Sequence, residues 1–352
     1  MKARPALRDF VVISLLSVVC STASAAGATR DWNKYPAVLQ LTTNEDVFAI
    51  GDPHGDLDRL TGVLLAAGLI ATAPSAPDQV KWAGGKSVLV ITGDLIDKGS
   101  DSLGVIALLR KLQSDAASRG GRVIISMGNH EAEFLAEPTG KKTRDFAAEL
   151  KEAGLDPTEV ANCNGDLGEF LCNLPIAVRV NNWFFSHGGN TKNRTIPELS
   201  AAIEAGFDKD GFASTELIGH NSILEARLNK KGPHGLPWFY NGDADTNPRK
   251  LLAKYAKKLG VGHLVQGHQP GKVKFPDKRN REEYTFFQRY GLLFLIDSGM
   301  SRGIEESDST GGAMRIKNGN RAVVICANRT QKTLWERKTN SNHQTKECGE
   351  KP

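Results

Sequence analysis

Cysteine is scarce in this sequence, five among 352 residues, and no two of them form a C-x-x-C pair. That spacing argues against a zinc finger or ribbon. No G-x-x-x-x-G-K-[ST] loop is present, so a P-loop nucleotidase is excluded. His130-Glu131 lacks the second histidine of H-E-x-x-H, so that metalloprotease pattern is excluded too. There is no internal repeat and no low-complexity tract. Charge of one sign is barely in excess: 45 Lys and Arg against 40 Asp and Glu leave +5, too mild over this length to predict a nucleic-acid partner. Beyond the N-terminal segment no apolar run approaches the ~18 residues of a membrane span. What remains, 40% hydrophobic and 24% charged, is ordinary for a folded chain and excludes a disordered, collagen-like or coiled-coil one. The length allows two domains, or one large α/β domain carrying insertions.

Residues 1–25 read as a secretory signal. Lys2, Arg4 and Arg8 form a basic start, Phe10–Val19 is apolar, and Ala23-Ser24-Ala25 supplies small residues for cleavage before Ala26. The apolar stretch is too short to span a bilayer. The mature protein is therefore expected to be periplasmic or secreted, free of the membrane, with a net charge of about +3 by the same counting. Cleavage also removes Cys20. The remaining Cys163, Cys172, Cys326 and Cys348 are even in number, which in an exported chain predicts two disulfides. Four cysteines allow three pairings, and sequence proximity favours Cys163–Cys172 with Cys326–Cys348.

A polar lead, 26–46, precedes a repeating rhythm. Apolar strand-like runs at Val47–Ile50, Ser87–Thr92 and Val123–Ser126 are followed by helical patterns at Leu57–Leu69, at Leu103–Leu112 and from Glu131. Strand, turn, helix is the rhythm of a layered α/β fold with chemistry at the carboxyl ends of the strands. Residues 137–175 break it, being polar with two cysteines and three prolines, and read as a cap-like insertion. Further strands are predicted at Ile176–Val180, Trp183–Ser186, His263–Gln266, Leu292–Ile296, Ala313–Ile316 and Arg321–Cys326, with a helix at Arg249–Leu259. Residues 328–352 are polar and read as a loosely held C-terminal tail pinned by Cys348. One domain, 47–327, is expected to carry the chemistry.

Five short segments stand out, four of them directly after an apolar strand: Gly51-Asp52-Pro53-His54-Gly55-Asp56, Gly93-Asp94-Leu95-Ile96-Asp97-Lys98-Gly99, Gly128-Asn129-His130-Glu131, His187-Gly188-Gly189 and Gly267-His268-Gln269. Each places Asp, Asn or His beside a glycine that lets the backbone bend sharply. One such turn is commonly a helix cap or a packed histidine. Five on one sheet edge are not explained by capping. Imidazole and carboxylate ligands suit Mn, Fe or Zn, and one carboxylate can bridge two ions held about 3.5–4 Å apart around a phosphoryl group.

The ordered set D-x-H, G-D-x-x-D-K-G, G-N-H-E, H-G-G and G-H resembles the calcineurin-like metallophosphoesterases, in their phosphoprotein phosphatase branch. Ile296-Asp297-Ser298-Gly299-Met300-Ser301, followed by Ala313-Met314-Arg315-Ile316, resembles the bacterial-type Shewanella-like and Rhizobiales-like members. The resemblance covers about 47–326. It implies a four-layer αββα sandwich and two metal ions, Mn favoured over Fe or Zn. Asp52 and His54 would bind the first ion, Asp94 would bridge, and Asn129, His187 and His268 would complete the second. A metal-bridging hydroxide would attack. His130, oriented by Asp97, would protonate the leaving oxygen. Lys98 stands where the family usually has Arg, keeping the charge without the bidentate fork, and Asn129 also faces the substrate.

Related phosphatases carry a W-x-R element whose Arg clamps the phosphate. Here Trp238-Phe239-Tyr240 puts Tyr240 in that position, as a candidate substrate contact set against ordinary core packing. Arg227 or Arg249 is available as the missing cation. His220 reads as structural, and His234, His263 and His343 as non-catalytic. The resulting expectation is a phosphomonoesterase acting on phosphorylated protein (Ser/Thr or Tyr), peptide or small-molecule substrates. The alternatives are a phosphodiesterase or dinucleoside-polyphosphate hydrolase of the same fold, and a non-catalytic metal-binding protein. Glu131 after Asn129-His130 leans toward the phosphatase branch.

Overall fold

A computed structural model describes residues 30–228, 237–240, 246–305, 307–338 and 343–348. The signal reading, Cys20 and His234 lie outside them. Two sheets organise the chain. The first has six strands in the order β12-β11-β10-β2-β3-β4: β12 (Gln331–Glu336), β11 (Arg321–Cys326), β10 (Gly312–Lys317), β2 (Val47–Ile50), β3 (Val88–Ile91) and β4 (Arg122–Ile125). The second has seven, in the order β1-β5-β6-β7-β9-β8-β13: β1 (Val38–Leu41), β5 (Ala177–Val180), β6 (Trp183–Ser186), β7 (His263–Gln266), β9 (Leu293–Leu295), β8 (Thr285–Arg289) and β13 (His343–Glu347). β2, β3 and β4 run parallel, as do β6, β7 and β9.

Side-chain alternation shows why two sheets form. Val47 and Ala49 of β2, Val88 and Val90 of β3, and Ile124 of β4 share one buried cluster with Trp183, Phe185, Val265 and Phe294 of the other sheet. Their neighbours Phe48, Ile50, Leu89, Ile91, Val123 and Ile125 point the other way, into a second cluster with the helices. Strands buried on both faces read as unbroken apolar runs. α1 (Leu57–Ala66) and α2 (Ser102–Ser118) cover that outer face through Leu60, Val63, Leu64, Leu108, Leu109 and Leu112. Each such burial contributes roughly 1.5–3 kcal/mol. α8 (Pro248–Leu259) buries Leu252, Tyr255, Ala256 and Leu259 in the same cluster. The mixed α/β, two-sheet architecture matches the expected sandwich.

Three regions depart from the sequence reading. β1 lies inside the polar lead, and β12 and β13 lie inside the stretch read as a tail, so both sheets extend past 47 and 327. β13 is held against β8 by its backbone ladder, and β12 against β11 by its ladder and by Leu334 and Trp335, which enter the core between the sheets. α3 (Asn129–Ala136) is the helix expected after β4; the insertion that follows it is itself helical, comprising α4 (Arg144–Glu152), α5 (Pro157–Ala161) and α6 (Gly165–Cys172), and α7 (Ile196–Asp210) follows β6. Cys163–Cys172 and Cys326–Cys348 sit paired with Sγ–Sγ distances of 2.02 and 1.95 Å, the pairing that proximity favoured. The second ties β11 of one sheet to the end of β13 in the other. Among the described residues no helix is long and apolar enough to cross a membrane.

His263 is packed rather than catalytic. Its ring stacks on Trp183 at 3.9 Å and bonds the Gly291 carbonyl, and burial pushes its pKa down to about 4. An unfolded histidine binds its proton near 6.5, so the unfolded chain gains protons first as pH falls from about 6.5 to 4, and stability is lost over that window. His263→Phe is expected to flatten the fall in Tm between pH 7 and 5. An unchanged slope would assign the acid sensitivity to other groups.

Candidate active site

The carboxyl ends of β2, β3, β4, β6 and β7 converge on one edge, and each motif turns there. The turns are tight. His54, Asp94, Asp97, Lys98 and His268 all adopt left-handed backbone conformations, φ 40°, 52°, 64°, 64° and 66°. Non-glycine residues pay on the order of 1 kcal/mol each for this, a strain that clusters at functional sites. The loops approach so closely that a Cβ on Gly93 would lie 2.4 Å from the Gly128 nitrogen, and one on Gly128 would lie 2.2 Å from Asp94 Oδ1.

Hydrogen bonds fix the imidazoles in a common sense. His54 Nδ1 bonds the Ile96 carbonyl at 3.1 Å, His187 Nδ1 the Thr92 carbonyl at 2.9 Å, and His268 Nε2 the Glu225 carbonyl at 3.2 Å. A carbonyl only accepts, so each of these nitrogens carries the proton and the other ring nitrogen offers a lone pair. Those lone pairs face one another. His268 Nδ1 and Asn129 Oδ1 each lie 2.9 Å from His187 Nε2. Asp94 Oδ2 is 3.2 Å from His187 Nε2 and 3.4 Å from His54 Nε2. Asp52 Oδ2 accepts the His268 backbone N–H at 2.7 Å, while its buried Oδ1, 4.0 Å from His187 Nδ1, has no hydrogen-bond partner. Acceptors facing acceptors, with a buried orphan carboxylate oxygen beside them, are what cations would satisfy. Two overlapping groups could hold a metal ion: His54, Asp94 and His130, and Asp94, His187 and His268.

The electrostatics agree. Burial, the Lys98 charge and, less, His130 push His54 well below its usual range, and burial with His187 does the same to His268. Burial, Asp297 and Asp94 push Asp52 well up. Burial opposes ionisation of Asp94 as well, but His187, His130 and His54 outweigh it and hold its carboxyl well below the usual carboxylate range.

His130 Nδ1 lies 2.8 Å from Asp97 Oδ2. Burial works against protonation there, but Asp94 and Asp97 together raise the imidazole. Lys98 Nζ reaches His54 Nε2 at 2.8 Å. The predicted residues Asp52, His54, Asp94, Asp97, Lys98, Asn129, His130, His187 and His268 therefore share one site.

Tyr240 does not join them. It sits in a single 3-10 turn, Trp238–Tyr240, is 1% exposed, and stacks on Phe239 at 4.7 Å. Burial pushes its hydroxyl up to about 12, and the charged neighbours it meets are Arg289 and Asp277, which belong to another cluster. Packing claims this ring, as the aromatic neighbours of the turn dictate.

Several contacts that support the motifs are set by the tertiary structure and were not legible beforehand. Glu131, fully buried, accepts N–H groups from Asp94, Leu95 and Gly128 at 2.7–2.9 Å and from Ile96 at 3.3 Å, tying the second motif to the third. Burial and Asp94 push it up to about 7, against those donors. The segment 225–228 is docked onto the fifth motif by the Glu225 carbonyl and by the Leu228 N–H on Gln269 Oε1 at 2.7 Å. That places the Arg227 charge close enough to depress His268. Fully buried Arg281 donates to the carbonyls of Gln269, Gly271, Thr285 and Asp297, knitting the same loop from behind. Gly299-Met300-Ser301-Arg302-Gly303 spells G-x-S-x-G, but Ser301 Oγ donates to the His54 carbonyl at 2.9 Å and serves as a buttress, not a nucleophile.

The sequence model of the calcineurin-like phosphoesterase family matches residues 46–272. Shewanella-like protein phosphatase 1 of Plasmodium berghei is 29% identical over 77% of this chain and 70% of its own. An uncharacterised protein of Schizosaccharomyces pombe is 40% identical over 76% of this chain and 74% of its own. The cold-active protein-tyrosine phosphatase of a psychrophilic Shewanella species superposes with a TM-score of 0.59 over 84% of this chain and 82% of its own at 21% identity, a likeness of fold. Members of the matched family generally depend on a dinuclear metal centre. The family match spans every one of the five strand-end motifs that build the cluster around Asp94, and the chain is a phosphoric ester hydrolase of the calcineurin-like phosphoesterase family.

Proposed function

We propose that the protein is an exported protein phosphatase that removes phosphate from Ser/Thr or Tyr side chains of proteins or peptides. The observation that carries the site reading is one carboxylate oxygen, Asp94 Oδ2, shared between His54 and His187. His54, Asp52 and Asp94 would hold one ion, and Asp94, Asn129, His187 and His268 the other. When bound, the two ions would polarise the phosphoryl group and acidify the attacking water. Nitrogen and oxygen donors without thiolate suit Mn, Fe or Zn, and Mn is the ion we would load first. Lys98 on one side and Arg227 on the other supply positive charge for the phosphoryl oxygens. His130, its Nδ1 held by Asp97, presents Nε2 to the leaving oxygen and delivers the proton. The paired cysteines support export into an oxidising compartment, and the mass of the mature N-terminus checks cleavage before Ala26.

The test is a substrate panel on Mn-reconstituted protein, with elemental analysis. Turnover of phosphotyrosine or phosphoserine peptides and p-nitrophenyl phosphate with two ions per chain is expected. Faster turnover of bis(p-nitrophenyl) phosphate or diadenosine tetraphosphate would replace the reading with a diesterase or dinucleotide hydrolase. No turnover by the loaded protein would leave a metal-binding protein.

Arg227→Ala should raise KM for p-nitrophenyl phosphate about tenfold, the loss of one charge-assisted contact, with metal content unchanged and partial recovery in Arg227→Lys. A KM equal to wild type removes Arg227 from the phosphate grip.

A further inference from the structure

The insertion touches the site through Asp97. Asp97, the partner of His130, is in a left-handed conformation and is held from outside its own loop. Its Oδ1 accepts the Phe146 N–H at 3.0 Å while Oδ2 faces His130. Phe146 lies in the first turn of α4, where backbone N–H groups have no intrahelical acceptor, so the helix start delivers a donor to the carboxylate. The buried Phe146 ring meets Phe134 of α3 edge-on at 4.8 Å, and α3 begins with Asn129 and His130. One turn further along α4, Glu149 accepts the N–H groups of Ser102 and Leu103 at 3.1 and 2.7 Å. Ser102 Oγ in turn accepts the Asp97 N–H at 3.3 Å. The carboxylate and the backbone of Asp97 are thus both tied to α4.

We propose that α4 braces the acid pair, with Phe146 N–H setting the plane of the Asp97 carboxylate and Glu149 acting as a positioning residue through Ser102. This rests on the reading of His130 and Asp97 as the proton-delivering pair. Nothing in the motif set contains these residues, because the brace comes from the inserted segment.

The test uses the full Mn-reconstituted protein and two monoesters, phenyl phosphate and p-nitrophenyl phosphate. Phenolate, the poorer leaving group, depends more on the proton. Glu149→Ala is expected to lower kcat on phenyl phosphate about tenfold and on p-nitrophenyl phosphate less than about threefold, with KM and metal content unchanged. Glu149→Gln, which keeps an acceptor for Leu103, should recover part of the loss and serves in place of Glu149→Ala if that variant does not fold. In an Asp97→Asn background neither variant should lower kcat further, since a residue acting through Asp97 has nothing left to position. Losses that multiply with Asp97→Asn, equal losses on both esters, or wild-type kcat in Glu149→Ala would overturn the brace while leaving the acid pair in place. An Asp97→Asn variant with wild-type kcat would overturn the acid pair itself, and the brace with it.

Discussion

Asp94→Asn is expected to lower kcat/KM by at least about 10³-fold and to bring metal content below two ions per chain, the two effects arising together. No other side chain belongs to both candidate metal groups. Its Oδ2 faces His54 and His187 at 3.4 and 3.2 Å, and its Oδ1 accepts the His130 backbone N–H at 3.0 Å. An amide keeps the shape but loses the charge that two cations would share, and it puts an NH₂ where one carboxylate oxygen stood. If the NH₂ faces the histidines, it directs donors at the sites of the ions; if it faces His130, it opposes another N–H. The fold should survive, because the substitution is isosteric and removes a charge that is 2% exposed. Tm of the metal-free variant within a few degrees of metal-free wild type would establish that. Elemental analysis and kinetics on the same preparation make the check. Two ions per chain with near-wild-type turnover would show that Asp94 does not bridge.

What the chain displayed in advance follows from where each signal sits. β2 (VFAI) and β3 (VLVI) are buried on both faces, so their apolar runs could be read directly. The five motifs are contiguous, and each carries its own glycine. β13 (HQTKE) is defined by its backbone pairing with β8, which no local pattern encodes, although Cys348 just after it, 22 residues from Cys326, marked where the chain is fastened. α4 (RDFAAELKE) buries only Phe146, Ala147 and Leu150, a stripe easily lost in a polar segment. Arg227 illustrates the remaining gap. Its position is fixed by one carbonyl and one amide N–H, backbone groups that every residue possesses, so only coordinates bring it beside His268. Tyr240 illustrates the converse, since a motif position supplied an expectation that aromatic packing cancels.

His130→Asn discriminates between two readings of the same imidazole. Its ring lies in an edge-on contact with His54 at 4.9 Å, close enough for His54, Asp94 and His130 to form a candidate metal group, yet its Nδ1 is bonded to Asp97. An acid acts through the proton on Nε2, and a ligand acts through a lone pair there. If His130 delivers the proton, the variant keeps both ions and a wild-type KM. Its kcat then falls about 10²–10⁴-fold on phenyl phosphate, and less on p-nitrophenyl phosphate, whose leaving group needs the proton less. If His130 is a ligand, metal content falls with kcat, and added Mn recovers activity on both esters alike. The Asp97 bond favours the first outcome, because it fixes the ring with Nε2 toward the cluster and, by supplying negative charge, stabilises the protonated form an acid requires. Asp97→Asn should then reproduce the same unequal loss at smaller magnitude, since an amide can accept from Nδ1 but carries no charge to hold the imidazolium. Undiminished turnover in His130→Asn would remove the proton-transfer step from the mechanism altogether.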